Sequence, residues 1–76
     1  MKPIAVESTT LATVAYDADR ELLQLEFLDR TAYQYSAVPA HIHAGLLRAP
    51  SKGRYFNRFI RGRFTYTQER LLNSLS

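Results

Sequence analysis

Hydrophobic and polar positions alternate through the first half of the chain. In "LATVAYD" (11–17) Ala12, Val14 and Tyr16 share one side, and in "ELLQLEF" (21–27) Leu23, Leu25 and Phe27 do, with Leu22, Gln24 and Glu26 opposite. In "TAYQYS" (31–36) Thr31, Tyr33 and Tyr35 point one way, Ala32 and Gln34 the other. Successive side chains leave a pleated backbone on opposite faces, so a period of two rich in β-branched and aromatic residues predicts strands. The polar segments "DADR" (17–20) and "LDR" (28–30) are short enough to be hairpin connections. The expectation is a three-stranded antiparallel meander.

After Tyr35 the period lengthens. Pro39 suits the first position of a helix, where its missing N–H costs nothing and its φ is already set. In "PAHIHAGLLRA" (39–49) Ile42, Leu46 and Ala49 then fall on one side and Arg48 faces away. Pro50 cannot continue this helix and pushes Ala49 out of the α region. Ser51 offers a hydroxyl N-cap for a second helix, "SKGRYFNRFIR" (51–61), which Gly62 ends in a left-handed conformation. At helical spacing Tyr55, Phe56, Phe59 and Ile60 occupy an arc of about 140°. The phenylalanines and Ile60 are expected in the core, with Tyr55 at the edge presenting its hydroxyl to water. "RFTYT" (63–67) alternates again and predicts a short strand or an extended segment closing the core. "QERLLNSLS" (68–76) reads as a weak helix or a frayed tail.

Charge is distributed unevenly over this frame. Residues 1–38 carry Lys2, Arg20 and Arg30 against Glu7, Asp17, Asp19, Glu21, Glu26 and Asp29. Residues 39–76 carry Arg48, Lys52, Arg54, Arg58, Arg61, Arg63 and Arg70 against Glu69 alone. Six of those bases lie within residues 48–63 with no acid between them, so intrahelical ion pairs do not account for them. Arg54, Arg58 and Arg61, at i, i+4 and i+7, form a stripe away from the aromatic arc. A basic stripe of this kind points to an anionic partner.

Other chemistries find little support. The 76 residues include no cysteine, which excludes disulfides and thiolate metal sites and favours a reducing compartment. A thin core and no staples imply a single domain with net stability of roughly 3–5 kcal/mol. "MKPIAVES" leaves no room for the apolar run of a signal peptide, and no stretch approaches a membrane span, so a cytoplasmic location is expected. His41 and His43 diverge by about 200° on a helix and cannot chelate one metal ion. His43 lies nearer the apolar side. Ser51 has no partnered base and no glycine-rich elbow, so it reads as a cap and not a nucleophile. No catalytic constellation, cofactor site or metal site is evident.

"VAYD" (14–17), "LEF" (25–27), "YQY" (33–35), "VP" (38–39), "LLRAPSKGRYFNRFIR" (46–61) and "FTY" (64–66) come in the order and spacing of the KTSC domain. This resemblance covers residues 8–66, with 67–76 left as a tail or short helix. That family occurs at the C-terminus of some lysyl-tRNA synthetases and as small stand-alone bacterial proteins. The resemblance implies a suggested RNA-binding role, and it places the family's tyrosine pair on Tyr33 and Tyr35 and its Ser-Lys-Gly turn on Ser51, Lys52 and Gly53. Members often carry glycine in the turn before the pair, where this chain has Asp29 and Arg30.

The expected architecture is α+β: a three-stranded antiparallel meander with two helices on one sheet face, closed by either a short final strand or an extended segment. The expected function is a non-catalytic RNA-binding module, for single-stranded or structured RNA such as tRNA. Arg54, Arg58, Arg61 and Arg63 would track phosphates, Lys52 at the start of the second helix would seat one, and Tyr33 and Tyr35 would offer stacking faces. A domain this small must bury one sheet face, which would place both rings in the core. Tyrosine instead of phenylalanine suits tips that find water or a partner, and the expectation is a split, with one tyrosine buried and the other partly exposed. The rival reading is a protein-interaction module or homodimer, using the basic helix or an open sheet edge.

Overall fold

The computed structural model describes residues 2–70. Its strands are β1 (Ile4–Ala5), β2 (Leu11–Asp17), β3 (Leu22–Phe27), β4 (Thr31–Tyr35) and β5 (Tyr66–Arg70), hydrogen-bonded antiparallel in the order β1-β2-β3-β4-β5. The expected meander is therefore the middle of a five-stranded sheet. Ile4 pairs with Val14 at one edge, and Tyr66 pairs with Tyr35 at the other. The final strand reaches Arg70, so residues 67–70, read as part of a tail, are sheet. The rest of that tail lies outside the described residues.

Both hairpins form where polar residues can satisfy the turn. Asp17 accepts from the N–H groups of Asp19 and Arg20 at 3.1 and 3.3 Å, and Glu21 then takes a left-handed φ of 53°. In the second hairpin Arg30 donates its N–H to the Phe27 carbonyl and adopts φ 73°. Arginine thus fills the left-handed position for which glycine is suited, at a cost of about 1–2 kcal/mol.

One sheet face carries α1 (Ala40–Arg48) and α2 (Lys52–Tyr55), the latter continuing into a π-helical turn (Phe56–Ile60). Leu11, Val14, Leu23, Leu25, Tyr35, Val38, Leu46, Phe56 and Ile60 form the core between helices and sheet. Leu11, not Ala12, is the buried residue at the start of β2. A bulge between Leu11 and Thr13 shifts the register, so Leu11 and Val14 reach the same face although three residues apart.

Helix starts differ slightly from expectation. Pro39 is the N-cap of α1, with ψ 154°, and helical geometry begins at Ala40. Ser51 caps α2 as expected, its hydroxyl accepting the Arg54 N–H at 3.4 Å. Gly62 follows the π turn at φ 74°.

The π turn corrects the reading of Phe59. The Arg61 N–H bonds back five residues to the Phe56 carbonyl at 2.8 Å. The wider turn aligns Phe56 with Ile60 over the core and carries Phe59 outwards, leaving it 41% exposed. Tyr55 does not present its hydroxyl to water, because it donates to the Ile42 carbonyl of α1. Among the described residues no helix is long and apolar enough to cross a membrane.

Candidate functional site

The strand register gathers aromatic rings. Directly paired residues share a sheet face, so Tyr33 opposite Leu25, and Tyr35 between Leu23 and Tyr66, all lie on the helix-covered side. The helices do not cover that side as far as β5. Tyr35 and Phe56 are buried, Phe27 and Tyr33 are half-buried, and Tyr66 is 58% exposed. Their rings contact in sequence: Phe27 with Phe56 at 5.3 Å, Phe56 with Tyr35 at 5.9 Å, Tyr35 with Tyr66 at 5.5 Å, and Tyr66 with Tyr33 at 5.3 Å. Most are edge-to-face, the arrangement that ring quadrupoles favour. Together they line an open cleft of about 330 Å³.

Two charged groups complete the cleft. Arg61 leaves the π turn with an extended ψ of 124°, which directs the chain towards Gly62 at the cleft wall. One of its guanidinium N–H groups reaches Asn57 Oδ1 at 3.4 Å. Among the described residues the one ion pair is Arg20 with Asp17, so no carboxylate neutralises Arg61. Asp29, in the β3–β4 turn, accepts the Thr31 hydroxyl at 2.6 Å and the Thr31 N–H at 3.0 Å. Those bonds, the hydroxyl's first, hold its carboxyl below the usual range. The Tyr35 hydroxyl is pushed up to about 12 by burial, then by Tyr33 and Tyr66, with Arg61 opposing. Tyr35 is therefore neutral at ordinary pH, and Arg61 is its cationic neighbour.

The seven residues singled out from the sequence do not form one surface. Tyr33, Tyr35 and Arg61 meet in the aromatic cleft. The tyrosines divide as expected, Tyr35 in the core at 4% exposure and Tyr33 partly exposed. Arg54 and Arg58 border a second, shallower and mainly apolar patch with Pro50, Tyr55 and Phe59, where the Arg58 guanidinium sits 5.7 Å from the Phe59 ring centre. The continuous stripe is broken because the π turn rotates Arg61 away from the i, i+4, i+7 row. Lys52 is engaged: its Nζ donates to the Ala49 carbonyl at 3.1 Å, closing the end of α1. Its surroundings include Glu7, which disfavours a phosphate there. Arg63 is exposed and lines neither the cleft nor the patch.

Phe27, Asp29, Thr31 and Tyr66 complete the cleft and were not among the expected site residues. The alternation of Phe27, Thr31, Tyr33 and Tyr35 in the sequence was a usable signal for the part of the cleft on β3 and β4. Tyr66 required knowing that β5 pairs with β4. The histidines stay apart, His41 exposed and His43 stacked on Tyr16 with ring centres 4.5 Å apart.

The KTSC domain family matches residues 7–64. The chain is 40% identical over 58 residues to an uncharacterised protein of Stutzerimonas stutzeri, covering 76% of this chain and 82% of that protein. It is 36% identical over 62 residues to a lysine–tRNA ligase of Nostoc punctiforme, covering 82% of this chain but spanning only 11% of the ligase. Its fold superposes on the crystal structure of a KTSC domain protein from Yersinia pestis with a TM-score of 0.87 and 32% identity, covering 90% and 96% of the two chains. The family match over residues 7–64, a range that includes the meander, both helices and the π turn, shows that this chain belongs to the KTSC domain family.

Proposed function

We propose that the chain is a single-domain, non-catalytic binding module for single-stranded RNA, acting in the cytoplasm. The observation that carries this reading is the cleft of five rings with Arg61 at its wall, in no ion pair among the described residues. A base inserted among Phe27, Tyr33 and Tyr66 gains stacking of about 1–3 kcal/mol, largely independent of sequence. Arg61 then meets the adjoining phosphate, and Arg54 and Arg58 supply further charge along the helix. The similarity to lysine–tRNA ligases supports tRNA as one source of such RNA.

The test is a binding survey of tRNA, single-stranded RNA and duplex DNA at two salt concentrations. Three phosphate contacts to a single strand, one for each of Arg54, Arg58 and Arg61, give a log–log salt slope near −2, at about −0.7 for each contact. Arg61→Gln and Arg58→Gln each lower the slope by about one contact without changing the melting temperature. Lys52→Gln leaves the slope unchanged and lowers stability instead, because its ammonium closes α1. Absence of salt-dependent affinity tighter than about 100 μM at 50 mM salt overturns the reading, since ordinary non-specific binding is stronger.

A second reading rests on Phe59, exposed beside Arg58 in the patch that Arg54 also borders. An aromatic group with flanking arginines suits the anchor of a protein interface. Phe59→Ala abolishing capture of a protein partner while RNA binding persists would favour it.

A further inference from the structure

We propose that Asp29 makes the aromatic cleft selective for bases bearing an exocyclic amine at C4 of a pyrimidine or C6 of a purine, so that it accepts cytosine and adenine and turns uracil away. The inference rests on the reading that the cleft receives a base. Its basis is the polarity of the cleft along β4. At the Tyr35 end the nearby charge is Arg61, close enough to act on the Tyr35 hydroxyl. At the Thr31 end the charge is Asp29. Thr31 and Tyr35 are four residues apart on one strand, a span of about 13 Å at 3.3 Å per residue. A nucleotide whose phosphate meets Arg61 and whose ring lies among the tyrosines therefore directs its hydrogen-bonding edge towards Asp29.

The local bonding of Asp29 decides what that edge must offer. Both bonds from Thr31 end on Oδ1. Oδ2 receives no hydrogen bond from a neighbouring described residue, and an ionised carboxylate can only accept. The N4 amine of cytosine and the N6 amine of adenine are donors that match it. Uracil presents the O4 carbonyl at the position where cytosine has its amine, setting an acceptor against an anion.

Cytosine and uracil differ at that position and at N3, which accepts in cytosine and donates in uracil, so the experiment adds adenine and compares oligo(C), oligo(A) and oligo(U) RNA of equal length at pH 7.5 and one salt concentration. Binding is read by calorimetry. The expected result is about tenfold tighter binding of oligo(C) and oligo(A) than of oligo(U), within the range for one recognised base edge. Asp29→Asn keeps an amide oxygen for the Thr31 bonds but places an amine where Oδ2 was. It should erase the preference by raising oligo(U) affinity and lowering oligo(C). Equal affinity of the wild type for the three oligomers overturns the selectivity while leaving RNA binding intact. An unchanged preference in a folded Asp29→Asn variant overturns the role of Asp29. No binding of any oligomer overturns the RNA reading itself.

Discussion

The Tyr55 hydroxyl donates to the Ile42 main-chain carbonyl at 3.1 Å, fastening α2 to the middle of α1. The contact depends on Gly45, because a Cβ there would overlap the Tyr55 hydroxyl and crowd its ring. A helix-interior glycine ordinarily costs about 1 kcal/mol relative to alanine. Here that cost is offset by the close approach of the ring.

Gly45→Ala should therefore destabilise the protein by about 1–3 kcal/mol through overpacking, despite its better helix propensity. In a Tyr55→Ala background the same substitution should be neutral or stabilising by up to about 1 kcal/mol. Urea denaturation of the four proteins in a double-mutant cycle checks this. Additive effects would show that the two residues do not constrain one another.

Ser51→Ala should cost about 0.5–1 kcal/mol, the lower part of the usual range, because the capping bond to the Arg54 N–H is long at 3.4 Å. Ser51→Asp should retain the cap and gain from a negative charge at the helix start. Thermal melts of the two variants beside wild type separate these outcomes.

Tyr35 and Tyr66 should respond oppositely to truncation. Tyr35→Ala removes a core ring, costs about 3–5 kcal/mol and unfolds a domain of this size, whereas Tyr66→Ala stays folded and binds RNA more weakly. The Tyr35 hydroxyl, at about 12, titrates above its unfolded value of 10.0. The unfolded chain thus releases that proton first, so the contribution is intact below about pH 10 and is lost as pH rises towards 12. Tyr16 is raised too, chiefly by burial, and contributes in the same direction. Urea midpoints between pH 9 and 12 should fall less steeply in Tyr35→Phe than in wild type.

His43 should give stability an acid limb. Burial lowers its pKa from 6.5. Because the folded state disfavours the charged ring, its contribution is present above pH 6.5 and is lost as pH falls through the lowered value. His43→Phe keeps a ring stacked on Tyr16 and should flatten the stability profile below pH 6.5. A profile unchanged by the substitution would assign that limb to the carboxylates.

Sequence alone determined the parts of this protein that depend on local periodicity and on residues with restricted conformations. Alternation located β2, β3 and β4, Pro50 and Ser51 separated the helices, and Gly62 ended the second one. These features follow from the chain's nearest neighbours, so one sequence contains them. The resemblance to the KTSC family was legible for the same reason, in short motifs at fixed spacing.

Tertiary structure decided which of the singled-out groups act together. Two-residue β1 is too short to carry a period, and β5 is specified by its register with β4 more than by its own pattern. The bulge at Leu11 and the π turn at Phe56–Ile60 each changed the phase of a regular element. One moved Leu11 into the core; the other moved Phe59 out of it and separated Arg61 from Arg54 and Arg58. Arg61 and Asp29 lie 32 positions apart in the chain and share a cleft only because β4 spans the distance between the turn at one end and the π turn's exit at the other. Periodicity assumes that each turn of helix and each pleat is regular. The site formed where the π turn broke that regularity and where β4 paired with a strand distant in sequence, and neither is encoded in a local period.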